Sequence, residues 1–166
     1  MSGFSGWEEV SAALAGAVAA GLLSLLDRRT ERKRKRHATL SAIISEVAAI
    51  ISLIREQGYQ SDLSELAEQV NAGTWADEVQ TIDIRMNYMF VYESLAGNLG
   101  ELDAKHIEPI VEFYQRARAF IDSTRPDGAL SDSGFPDERK SHVLSANENL
   151  QKLLALGDKI IQFVER

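Results

Sequence analysis

Seventeen residues without a charge, Val10 to Leu26, run directly into seven Lys or Arg within nine positions, Arg28 to Arg36. Few folds accept both in that order. As an α-helix the uncharged stretch rises about 1.5 Å per residue and reaches roughly 25 Å, the short end for a bilayer core of about 30 Å. Phe4 and Trp7 extend its apolar reach and supply aromatic rings for the outer interface. A secretory signal places its cations before the apolar run, whereas here Glu8 and Glu9 come before it and the cations after it. The order predicts a transmembrane helix with an external N-terminus and everything past Leu26 in the cytoplasm. The competing reading is a buried, Ala-rich core helix of a soluble protein, and the basic stop favours the membrane.

The charge balance sharpens this division. The chain holds 18 Lys and Arg against 25 Asp and Glu. Seven and four of these fall in residues 1–37, which leaves 11 and 21, a net of −10, for the remainder. An acidic body makes nucleic acid an unfavourable partner, because phosphate binding needs cations. The expected partner of the collar (Arg28, Arg29, Arg32, Lys33, Arg34, Lys35 and Arg36) is a bilayer with anionic headgroups, at about 1 kcal/mol per cation. The chain divides into a transmembrane segment 1–27, a basic juxtamembrane collar 28–37 and an acidic helical cytoplasmic domain 38–166. There is no cysteine, which excludes disulfides, thiolate metal sites and cysteine nucleophiles.

The faces of the first helix differ. At about 100° per residue, Val10, Leu14, Val18, Leu22, Leu25 and Leu26 gather on one side. Ala12, Gly16, Ala20 and Ser24 run at spacing four on the other, beside Ala13, Ala17 and Gly21. Small-residue rows let helix backbones approach closely, and close packing drives association in lipid. They are the expected packing face of a homo-oligomer, set against the general abundance of Ala and Gly in membrane spans.

Past the collar, Leu40, Ile43, Ile44, Val47, Ile50, Ile51 and Ile54 recur at three and four, an amphipathic stripe. With no Gly or Pro between Leu22 and Gln57, the pattern predicts one long rod through span, collar and first body helix, ending near Gly58 and coupling body to membrane. A second helix is expected from Asp62 to Val70, N-capped by Ser61 or Asp62 and stopped at Asn71-Ala-Gly73. The stretch "TWADEVQTIDI" reads as loop or a short extended piece. A third helix fits Arg85 to Ala96, ending at Gly97 or Gly100, and a fourth starts near Asp103 with Pro109 tolerable only in its first turn. "RPDGALSDSGFPD" reads as loop. The last helix runs from about Pro136 to Val164, with Val143, Leu144, Leu150, Leu153, Leu154, Ile160 and Ile161 on its apolar face. The expected fold class is all-α, a transmembrane helix continuing into a cytoplasmic bundle of about four to five helices.

No residue is assigned as catalytic. The spacing of Arg32 and His37 resembles the Arg-x4-His spacing of HEPN-type ribonucleases, which implies a pair meeting across a dimer at the scissile phosphate, with His shuttling a proton and Arg steadying the phosphorane charge. In so basic a run, however, an Arg at that distance from a His carries little information. His106, near Asp103, Glu108 and Glu112, reads as a solvated helix start rather than a metal ligand. His142 reads as helix surface. Tyr88, Phe90 and Tyr92, with Met86 and Met89, read as core rather than a base-stacking platform. No phosphate loop, nucleophile elbow or metal-ligand spacing is present, and neither metal nor cofactor is expected.

Residues 90 to 121, "FVYESLAGNLGELDAKHIEPIVEFYQRARAFI", resemble a segment of small bacterial proteins with a hydrophobic N-terminal helix, a basic collar and a helical body. The resemblance is carried by Val91, Tyr92, Glu93, Ala96, Gly97, Leu99 and Gly100, then Phe113 and Tyr114. It implies a bacterial inner-membrane location and no particular activity. In layout alone, the chain is similar to the membrane-anchored HEPN-like accessory protein of Cas13-type CRISPR systems, which implies a membrane pore in antiviral defence. The preferred expectation is a self-associating, non-enzymatic membrane effector set off by a protein partner. A membrane-tethered HEPN-type ribonuclease using Arg32 and His37 is one alternative, and a passive anchor or adaptor is the other.

Overall fold

The computed structural model describes the backbone of residues 5–76, 88–126, 128–132 and 136–165, and the side chains of the same residues except 5–26, 132, 164 and 165. All regular structure among them is helical. The order is α1 (Ser5–Glu56), α2 (Tyr59–Ala72), α3 (Phe90–Leu95), a 3-10 turn (Ala96–Glu101), α4 (Ala104–Thr124), α5 (Ala129–Asp132), α6 (Pro136–Ile161) and a closing 3-10 turn (Gln162–Glu165). The chain forms two compact units, Met1–Thr39 and Leu40–Arg166.

The first unit is helical from Ser5 onward, with Asp27 to Lys35 and His37 exposed and Arg36 half-buried. Phe4 lies outside the described residues, and the side chains of Trp7 and of the small-residue rows lie outside the described ones.

The second unit is organised by the apolar stripe of α1. Ile43, Ile44, Val47, Ile50, Ile51 and Ile54 are all buried, with Leu40 packed at the edge. Leu63 and Ala67 of α2, Ile110, Phe113, Tyr114, Ala117 and Phe120 of α4, and Val143, Leu150, Leu153, Leu154 and Ile160 of α6 complete the core. Helix α6 packs against both α2 and α4. Among the described side chains, the helix segment long and apolar enough to cross a membrane is Asp27–Glu56, which holds this buried stripe.

Several helix ends differ from the expectation, each for a local reason. Helix α2 begins at Tyr59 rather than Asp62, because Gly58 takes a left-handed φ of 76° and turns the chain at once. Ser61 is then already helical, and its hydroxyl donates to the Gly58 carbonyl at 2.7 Å instead of capping. At the other end, the Gly73 N–H donates to the Val70 carbonyl and the Thr74 N–H to the Gln69 carbonyl, a Schellman stop built on Gly73 at φ 71°. The predicted start of the third helix falls on residues 77–87, outside the described residues; α3 itself covers six residues and tightens into the 3-10 turn that runs past Gly97 and Gly100. Pro109 is the sixth residue of α4, one turn deeper than expected, and its missing N–H leaves the Lys105 carbonyl without its usual helical donor. The expected loop after Thr124 contains the single turn α5, whose Leu130 is buried. Leu144, expected in the core, is 36% exposed.

At Gly157, α6 leaves no room for a side chain beside α1 and α4. A Cβ there would collide with Ile51 Cδ1 and stand 2.9 Å from Phe113 Cε2. Gly157→Ala is therefore expected to lose up to about 2 kcal/mol, the overpacking cost outweighing the gain of about 1 kcal/mol in helix propensity. Adding Ile51→Val removes the colliding methyl, so the double variant should be more stable than the sum of the two single changes. Denaturant unfolding of the full-length chain, followed by circular dichroism, measures both.

Candidate functional site

Two arrangements of polar groups bear on function among the described residues, one in each unit. The first is the collar. Its Lys and Arg side chains from Arg28 to Lys35 stand exposed along one helix. Lys35 Nζ lies 2.9 Å from Glu31, one turn before it. That hydrogen bond, and then the lysine charge, hold the Glu31 carboxyl below the usual carboxylate range.

Arg32 and His37 are both exposed on this helix. Five residues at about 100° each turn them roughly 140° apart, so a single chain does not converge them on one phosphate. His106 differs from its expected solvated setting: it is half-buried at the start of α4, its ring 4.7 Å from that of Phe163. His142 is half-buried on α6. Among the described residues, no three His, Asp or Glu side chains are grouped to hold a metal ion.

The second place centres on Glu46. It is the one acid within the apolar stripe of α1, between Ile43 and Val47. Its Oε1 accepts the Val91 N–H at 2.6 Å, and its Oε2 accepts the Tyr92 N–H at 2.9 Å and the Tyr114 hydroxyl at 2.6 Å. Val91 and Tyr92 open α3, where backbone N–H groups have no partner within the helix. Glu46 thus does from α1 what an N-cap side chain does from its own helix. The Tyr92 and Tyr114 rings stack at 3.8 Å with planes 13° apart, and Arg118 of α4 reaches Glu93 of α3 at 2.7 Å. One carboxylate, one ring pair and one ion pair fasten α3 to α1 and α4.

The aromatic cluster expected as core therefore splits. Met89 is buried and Tyr92 half-buried in the Glu46 arrangement, while Tyr88 and Phe90 are exposed, Phe90 to 70%. Met86 lies outside the described residues. Tyr88 and Met89 also line an apolar cavity of about 260 Å³, with Ile54, Gln57, Tyr59 and Phe120. Sequence reasoning reaches Tyr114 only through the resemblance of residues 90 to 121 and does not reach Glu46, although an acid on the buried face of an otherwise apolar helix is a legible sign that donors await it.

Comparison with known protein families, with curated proteins and with solved structures finds no match to this chain.

Burial, and then the hydrogen bond to Glu46, push the Tyr114 hydroxyl above the ordinary tyrosine range. A raised acid contributes stability that is whole below the unfolded value of about 10 and is lost as pH rises above it. Tyr114→Phe should lose about 1.5–3 kcal/mol at neutral pH, the value of a hydrogen bond to a charged group. It should also fall less steeply than wild type between about pH 10 and 11. Denaturation midpoints across that range, compared between the two proteins, test both statements.

Proposed function

We propose that this chain is a single-span, self-associating inner-membrane protein that acts without catalysis, its helical bundle in the cytoplasm and its assembly perturbing the bilayer. The observation that carries this reading is the division of α1. Its second apolar stretch, Leu40 to Ile54, is used up by the core of the second unit. The first, Val10 to Leu26, is uncharged, helical in backbone and bounded by exposed cations. A helix with that composition and that stop suits a bilayer better than water. The small-residue rows supply the self-association, and a role in antiviral defence follows from the resemblance in layout.

After a carbonate wash, the full-length protein should stay with the membranes and run in detergent as a multimer. Recovery in the soluble fraction overturns the reading. Gly16→Leu should shift the detergent-solubilised protein toward monomer and abolish dye leakage from vesicles, while His37→Ala leaves both unchanged. RNA cleavage lost on Arg32→Ala or His37→Ala would establish the ribonuclease instead. Function kept when Val10 to Leu26 is exchanged for an unrelated span would establish an adaptor.

A further inference from the structure

The collar is one-sided. With Arg28 set at 0° and about 100° per residue, Arg32, Arg36, Arg29 and Lys33 fall at roughly 40°, 80°, 100° and 140°. Five of the seven cations thus share an arc of about 140°. Lys35 sits just outside it, tied to Glu31. The opposite side holds Asp27, Thr30, Glu31 and Arg34, at roughly 260°, 200°, 300° and 240°. All ten of these positions except Arg36 are exposed, so the asymmetry is not a product of burial.

The helix assignment of α1 is unbroken from Ser5, so the same register extends back through the uncharged stretch. On it, positions 10, 14, 25, 18, 22 and 26 fall at roughly 0°, 40°, 60°, 80°, 120° and 160°. Those are Val10, Leu14, Leu25, Val18, Leu22 and Leu26, the large apolar positions, with Leu23 the exception near 220°. Trp7 falls near 60° as well. Two chemically unrelated patterns, bulky apolar and cationic, therefore occupy one side of one helix.

A span surrounded evenly by lipid gives its cations no reason to keep to one side. From this coincidence we infer that α1 carries a one-sided site for anionic lipid headgroups, formed by Arg28, Arg29, Arg32, Lys33 and Arg36, in register with the lipid-facing side of the span. Charge complementarity selects the occupant: the headgroups of the same lipids whose tails cover the bulky side lie directly beneath these cations. The side bearing Asp27 and Glu31 is unsuited to that surface and is turned away from it. The inference rests on the proposed span and adds the direction in which the helix meets lipid.

Two permutations of the same residues separate face from bulk charge. Asp27→Arg with Arg28→Asp and Thr30→Arg with Arg32→Thr moves two cations off the face and one acid onto it, at unchanged net charge. Thr30→Arg with Arg34→Thr shuffles the opposite side only. Full-length proteins in detergent are titrated with phosphatidylglycerol or phosphatidylcholine, and bound lipid is counted by native mass spectrometry. Wild type and the second permutation should prefer phosphatidylglycerol, and the first should lose that preference by about tenfold or more. Equal lipid binding by both permutations, or no preference in wild type, overturns the one-sided site while leaving membrane retention intact. Tighter binding of a single-stranded RNA oligomer than of phosphatidylglycerol by wild type overturns it in favour of another polyanion. Loss of wild type from carbonate-washed membranes is the separate failure of the span itself.

Discussion

A carboxylate on the buried side of a helix must find donors, and the place of α3 on the second unit depends on the three that Glu46 finds. Two are backbone N–H groups at the start of α3, and one is the Tyr114 hydroxyl of α4. The arrangement solves two problems at once. It satisfies a charge that would otherwise be costly against an apolar core, and it caps a helix too short to hold its own first turn. The stacked Tyr92 and Tyr114 rings add a second link between α3 and α4 beside the carboxylate's hydrogen bonds. The remaining polar links contribute less. Arg55 meets Asp158 at 2.8 Å, but both side chains are about half exposed, where such pairs are worth at most about 1 kcal/mol.

Long periodic segments were the legible part of this fold. The stripe of α1 from Ile43 to Ile54 is buried as its spacing requires, and the bounds of α4 and α6 follow their apolar patterns and flanking breakers. Errors came where a local conformation overrode a residue preference. Ser61 and Asp62 are good capping residues, yet the left-handed Gly58 started α2 before they could serve. Helix α4 begins at Ala104, close to its expected start, with the backbone carbonyl of Asp103 accepting the His106 and Ile107 N–H groups, and this places Pro109 past the first turn. Phe90 was read as core from its neighbours, and the six-residue α3 is too short to give the cluster a single buried face.

The candidate sites were unevenly legible for the same reason. The collar is a run in sequence and a run in space, so its members could be named directly. Its asymmetry needed the unbroken helix to fix each residue's angle. Glu46 and Tyr114 are 68 residues apart, and only folding brings them together. A stripe with a single acid in it signals that a partner exists without saying which helix supplies it.

The Val91 and Tyr92 amides have a consequence of their own. In most helices, the first amide protons exchange with solvent by fraying of the helix end. Here the acceptor belongs to α1, so these two protons are held for as long as Glu46 keeps α1 and α3 linked. Their deuterium uptake would report the separation of two helices rather than the unwinding of one. An event that loosened the second unit would be visible there first, as a gain in exchange at two consecutive residues of an otherwise unremarked short helix.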